Sequence, residues 1–195
     1  MKFRDARNKD KKSKKSVYFV VILIFLMVSS VIGFVTLGDV EQADKFDAEY
    51  NGYKFNILNS GYTTKINDRD MYFDYIPGDV IYIEYNKADK LSINQRVYIA
   101  FDPEEKSQEM DFLLAKIDNN LKILGYSTNL ACILEQNCPD IPLVDCKNFQ
   151  NVLYLKKYKS DRIYKDNNCI VLEGADINGL SKSTDRFIYS ISGVT

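Results

Sequence analysis

The chain of 195 residues has no histidine and no tryptophan, and it holds only four cysteines, four prolines and nine glycines. Without histidine the commonest general base and the commonest metal ligand are gone. No serine or cysteine has an imidazole to activate it. G-x-S-x-G, G-x-x-x-x-G-K-[ST] and G-x-G-x-x-G are all missing, so neither a nucleophile elbow nor a phosphate-cradling loop is written here. N-x-[ST] is missing too, which leaves no acceptor for ordinary N-glycosylation. The formal net charge is −1 and unevenly spread: residues 1–16 hold eight Lys/Arg against two Asp, so the remainder is acidic. Nucleic-acid binding would want a basic face on the folded domain, and none is expected. These absences describe a protein that is not an enzyme, uses no cofactor or metal, and binds no nucleic acid.

What is present starts with VYFVVILIFLMVSSVIGFVTL, residues 17–37, a run of 21 positions without a charge. As a helix it would span about 30 Å, the thickness of a bilayer's hydrocarbon core. A cleaved signal has a shorter apolar core, about 7–15 residues, and a small-x-small site, which Thr36-Leu37-Gly38 matches poorly. The run is therefore read as an uncleaved, single-pass signal anchor. Lys9, Lys11, Lys12, Lys14 and Lys15 precede it, and Asp39, Glu41 and Asp44 follow. By the positive-inside rule the N-terminus stays in the cytoplasm and the rest is displayed outside the cell membrane. The organisation read is a basic cytoplasmic head (1–16), a transmembrane anchor (17–37), an acidic stalk (38–50) and an extracytoplasmic domain (51–195).

An oxidising compartment pairs cysteines. The spacing of Cys132, Cys138, Cys146 and Cys169 is C-x5-C-x7-C-x22-C, with neither the C-x2-C knuckle of a zinc site nor the C-x-x-C of a redox pair. The expected pairing is Cys132–Cys138, closing a small loop, and Cys146–Cys169, stapling an irregular segment to a late strand.

Residues 53–85 alternate in short runs broken by Asn59-Ser60-Gly61, Asn67-Asp68-Arg69-Asp70 and Ile76-Pro77-Gly78-Asp79, the pattern of a strand meander whose last strand is Val80–Tyr85. Val97–Phe101 is an apolar run. Asp102-Pro103-Glu104-Glu105 then supplies an N-cap and a first-turn proline. Met110, Leu113, Leu114, Ile117, Leu121 and Leu124 recur at helical spacing, and Gly125 stands where a helix ends. Leu130–Leu134 follows as a strand, making a β-α-β passage with parallel pairing. Val152–Leu155 and Cys169–Leu172 read as strands, the second fully apolar and so central. Asp176 caps a final helix along Leu180, Thr184, Phe187, Ile188 and Ile191, ending at Gly193. The fold class expected is α/β or α+β: an N-terminal transmembrane helix, then one mixed β-sheet domain with at least two packed helices.

A single N-terminal span, an opening YNGYKF, a strand–DPEE–helix passage, and CIVLEG followed by TDRFIYSISGV resemble uncharacterised single-span, membrane-anchored proteins of small-genome archaea. The resemblance implies a membrane-anchored α/β domain and brings no activity and no site residue with it.

Two features suggest recognition. Tyrosine offers contact area at low entropy cost, and Tyr53, Tyr62, Tyr72, Tyr75 and Tyr82 crowd the meander. Strand propensity accounts for tyrosine there as well. Lys156, Lys157 and Lys159 form a basic tip on an acidic domain. Asp68, Asp70, Asp74 and Asp79 would be the acids of a carboxylate-based hydrolase acting on envelope polymers or the ligands of a calcium site, although no D-x-D run has the sixth-position glycine of a calcium loop and turns use Asp anyway. Ser181-Lys182-Ser183 is a local serine–lysine candidate whose plain reading is a solvated helix face. The function expected is a non-enzymatic binding or assembly module of a cell envelope, with a protein partner there. The rival is the hydrolase. A pilin-like or surface-layer-associated structural subunit is a third possibility, for which Lys15-Ser16 is a poor processing site.

Overall fold

The computed structural model of the protein describes residues 18–27, 48–86 and 90–195. The chain divides into two compact units, Met1–Asp44 and Lys45–Thr195. In the first, residues 18–27 form helix α1, with every large apolar side chain exposed. The basic head, the rest of the anchor run and stalk residues 38–47 lie outside the described residues. Among the described residues no helix is long and apolar enough to cross a membrane.

The second unit opens with β1 (Ala48–Tyr50), β2 (Tyr53–Leu58), β3 (Gly61–Ile66) and β4 (Arg69–Phe73), an antiparallel sheet in chain order. Its first strand takes the last three residues assigned to the stalk. Asn51 and Gly52, both at positive φ, make the β1–β2 turn, the Asn-Gly chemistry that matches strand twist. Helix α2 (Pro77–Val80) follows. Then come β5 (Val97–Phe101), α3 (Gln108–Ile123), β6 (Thr128–Cys132), β7 (Val152–Lys157), β8 (Arg162–Asp166), β9 (Cys169–Gly174) and α4 (Ile177–Ser192). The five later strands form a mixed sheet in the order β6-β5-β7-β9-β8, with only β8 antiparallel.

The fold class holds as mixed α/β with packed helices, but one sheet becomes two. The expected strand Val80–Tyr85 does not form. Pro77 starts a helical turn instead, and the Ile83 carbonyl accepts from Arg186 Nε at 3.1 Å rather than from a neighbouring strand. The Asp102-Pro103-Glu104-Glu105 signal makes a separate 3-10 turn; α3 starts later, capped by the Ser107 hydroxyl, which accepts from the Met110 N–H. The β5-α3-β6 passage pairs in parallel, and α3 ends at Gly125 as expected. β9 is buried throughout and lies between β7 and β8, so β8 does not return against β7.

The centre of the five-stranded sheet is covered on both faces, which is why its inner strands β5 and β9 are nearly all apolar. Ile99, Leu153, Leu155, Ile170 and Leu172 face the helices; Ala100, Val152, Cys169 and Val171 face the other way, under Val144 and Phe149 of the connection 133–151. Two crossovers running in opposite directions across a sheet belong on opposite faces. Here a helix makes one and an irregular segment the other. That segment is held by the disulfides Cys132–Cys138 and Cys146–Cys169, the pairing expected from the sequence. α4 packs on β7, β8 and β9. Its Tyr189 ring meets the first sheet, stacking 4.2 Å from Phe73 and edge-on to Phe55 at 6.0 Å between centroids. A helix with a sheet on either side must be apolar or satisfied on both, and α4 is buried nearly continuously from Gly179 to Tyr189.

Candidate functional site

Where β4 ends, α3 and α4 come together over it, and the charges gather there. The Lys116 ammonium on α3 donates to Asp74 Oδ2 at 2.6 Å, Asp185 Oδ1 at 2.8 Å and Ser181 Oγ at 2.9 Å. The Ser181 hydroxyl donates in turn to Asp74 Oδ2. Asp185 Oδ2 accepts from the backbone N–H groups of Asp74 and Tyr75 at 2.8 and 3.0 Å. One turn along α3, Asn120 Nδ2 donates to the Tyr72 carbonyl at 2.9 Å. Helix side chains thereby take up the backbone groups at the end of β4: the Tyr72 carbonyl and the N–H groups of Asp74 and Tyr75.

The three charges differ in their access to water. Side-chain exposure is 7% for Lys116, 0% for Asp185 and 34% for Asp74. Burial pushes the Asp185 carboxyl up to about 6, against the pull of Lys116. Burial works against the Asp74 charge too, but Lys116 and hydrogen bonds from Lys116, Ser181 and Tyr72 outweigh it and hold that carboxyl below its ordinary value. At Lys116 burial opposes the charge, yet Asp185 and then Asp74 more than compensate, and the ammonium is held above its usual range.

Asp74 opens into a cavity of about 630 Å³, whose walls include Tyr72, Glu109, Phe112, Leu113 and Ile177, with Lys116 and Ser181 at its base. Phe112 stands out into solvent, 67% exposed. Ligand sites are typically about 300–1,000 Å³, mostly apolar, with a few placed polar groups. The chemistry of the floor is that of a fixed charge array. A lysine that serves as a base must be neutral, whereas Lys116 has all three protons engaged. Ser181 spends its proton on Asp74. Asp185 is sealed beneath the other groups.

Of the residues singled out in the sequence, Tyr72 and Asp74 reach this cavity, and so does Ser181. Ser181 is 7% exposed, not on a solvated face, and its lysine is Lys116 rather than the adjacent Lys182. Asp68 is exposed at the β3–β4 turn, Asp70 is exposed in β4 opposite Lys65, and Asp79 is exposed in α2; none of them joins Asp74. Tyr53, Tyr62 and Tyr75 pack partly buried against the core. Tyr82, 61% exposed, borders a different cavity of about 690 Å³ beside Ile163 and Arg186. In the basic tip, Lys156 and Lys159 stand over the Tyr158 ring at 4.9 and 5.8 Å, and Lys157 Nζ reaches the Glu105 carbonyl at 3.5 Å. Among the described residues no group of three or more metal-ligating side chains is placed to hold an ion.

Lys116 and Asp185 were not anticipated. Their signal was a pair of polar residues four apart within a buried stripe: Lys116 with Asn120 on α3, and Ser181 with Asp185 on α4. No family model, no curated protein and no solved structure matches this chain.

Proposed function

We propose that the chain is a membrane-anchored, extracytoplasmic binding or assembly module of a cell envelope, and that the cavity between β4, α3 and α4 is where it takes hold of its partner. The observation that carries the reading is the pairing of an exposed aromatic wall with a floor whose charges are already committed: Phe112 invites contact, while Lys116, Ser181 and Asp185 have nothing left to give a reaction. Two disulfides support an oxidising location. The α1 side chains support the anchor, since ten successive positions from Tyr18 to Met27 are exposed, all of them apolar or aromatic, and such a surface is at home in lipid.

The test is photo-cross-linking in native membranes. A photoreactive residue replaces Phe112 in one version of the full chain and the exposed Glu135, on the opposite, disulfide-bearing side of the sheet, in another. The expected result is one discrete adduct from position 112 and none from 135. Equal ladders from both positions, or no adduct from 112, would remove the cavity from the reading.

A further inference from the structure

We infer that the cavity recognises a lysine or arginine side chain presented by a protein partner. The inference rests on the cavity being the binding site and goes on to name the chemistry that fits it. The charged groups of its lining are Asp74, Glu109 and Lys116. Lys116 is neutralised from below by Asp185, at 2.8 Å, and its remaining protons go to Asp74 and Ser181. Counting Asp185, the site holds three carboxylates against one ammonium. The two that face the opening are Asp74, whose side chain is 34% exposed, and Glu109, on the wall.

Each class of ligand meets this array differently. An anion is repelled, because the one cation has no free donor to offer it. A purely apolar group strips water from Asp74 without replacing it, and an unpaired, desolvated carboxylate is costly. A cation on an aliphatic stem satisfies both parts. Its head replaces the water at Asp74 with a charge-assisted bond, and its stem lies along Phe112, Leu113 and Ile177, as lysine and arginine stems do on apolar surface. The rings of Phe112 and Tyr72 add a face that favours cations. A free amine would reach the floor and lay its stem on the wall, but would leave the outer face of Phe112, 67% exposed, in water. A side chain delivered by a protein brings the surrounding surface that covers it, which is why the partner is a protein rather than a small metabolite.

The experiment uses the full chain in detergent micelles and follows backbone amide shifts of Tyr72, Phe112 and Ser181. Four probes are titrated: Nα-acetyl-lysine methylamide, Nα-acetyl-arginine methylamide, the norleucine counterpart with the same stem and no charge, and butylamine. The lysine and arginine probes are expected to bind about tenfold more tightly than norleucine, the worth of one charge-assisted hydrogen bond, and more tightly than butylamine. Glu109→Gln, an exposed substitution in the first turn of α3 that keeps a side-chain oxygen to accept from the local N–H, should weaken the lysine probe about two- to threefold. Asp74→Asn should abolish the preference over norleucine. Equal binding of norleucine overturns the cationic chemistry while leaving the cavity as a site. Equal binding of butylamine overturns the protein source. No shift with either cationic probe overturns the inference outright, and the adduct from position 112 then decides separately whether the cavity binds at all.

Discussion

Replacing Lys116 by methionine isolates what the buried charge array contributes. The substitution keeps an unbranched stem of similar length and removes the ammonium, so the core packing of α3 changes little. Asp185, at 0% exposure, then keeps only the two backbone N–H bonds from Asp74 and Tyr75. Removing one partner of a buried ion pair costs about 3–5 kcal/mol, a large part of the 5–15 kcal/mol that holds a typical domain folded. The pH dependence gives the signature. Asp185 titrates at about 6 in the fold against an ordinary 3.8. The folded state therefore holds the proton more tightly, and the burial penalty grows as pH rises through that window. Without Lys116 the folded value moves higher and the window extends upward. The deficit of Lys116→Met against wild type should be largest near pH 8 and shrink toward pH 5, where a protonated Asp185 needs no counter-charge. Urea unfolding of the full chain in micelles, followed by tyrosine fluorescence, measures it at both pH values. Lys116→Met/Asp185→Asn should recover most of the loss at pH 8. A deficit below about 1 kcal/mol at pH 8, or one that is the same at both pH values, would refute the account of a coupled buried array.

Two further outcomes follow from other parts of the fold. The disulfides close loops of different length, with sequence separations of 23 for Cys146–Cys169 and 6 for Cys132–Cys138. On chain-entropy grounds the double serine variants should lose about 3 and about 2 kcal/mol respectively, and denaturant midpoints of the two variants check the order. At the β9–α4 junction a Cβ on Gly174 would overlap the Leu180 backbone nitrogen. Gly174→Ala should therefore cost at least about 2 kcal/mol, as overpacking against a backbone that cannot yield does, and calorimetry should show a lowered Tm.

Much of the second unit is legible from short-range chemistry. The helix stripe from Met110 to Leu121 and the Gly125 terminus, the Asp176 cap accepting from the Gly179 N–H, the parallel β5–β6 pairing and both disulfides follow from spacing and neighbours. What misled was local pattern with a competing cause. Ile81, Ile83 and Tyr85 alternate like a strand, but Pro77-Gly78 had already turned the chain, and Arg186, about a hundred positions later, claims its carbonyl. Asp102-Pro103-Glu104-Glu105 has the grammar of a helix start, yet Ser107 is the residue that caps α3. The Asn51-Gly52 turn joins β1 to β2, but a stalk boundary at residue 50 sets β1 outside the domain and leaves that turn without its first strand. The candidate site was legible only in pieces. Asp74 and Ser181 drew notice singly, but Asp74 and Lys116 are 42 residues apart and Lys116 and Asp185 are 69. Their meeting depends on how two helices lie across a strand end, which no local spacing encodes.

The connection 133–151 covers one face of the five-stranded sheet where a helix would ordinarily lie, and covalent cross-links take part in holding it there. α3 and α4 can pack as soon as their apolar stripes meet. The opposite layer has no such stripe; Val144 and Phe149 reach Ala100, Val152 and Val171 through a segment tied down by Cys132–Cys138 and Cys146–Cys169. Backbone hydrogen bonds also hold it: the Cys132 N–H donates to the Pro142 carbonyl and the Val144 N–H to the Cys132 carbonyl, both at 2.9 Å, and the Asn168 N–H donates to the Cys146 carbonyl at 2.9 Å. One face of the sheet is thus closed by helix packing alone and the other partly by covalent cross-links, so a reductant has bonds to break on only one of the two faces.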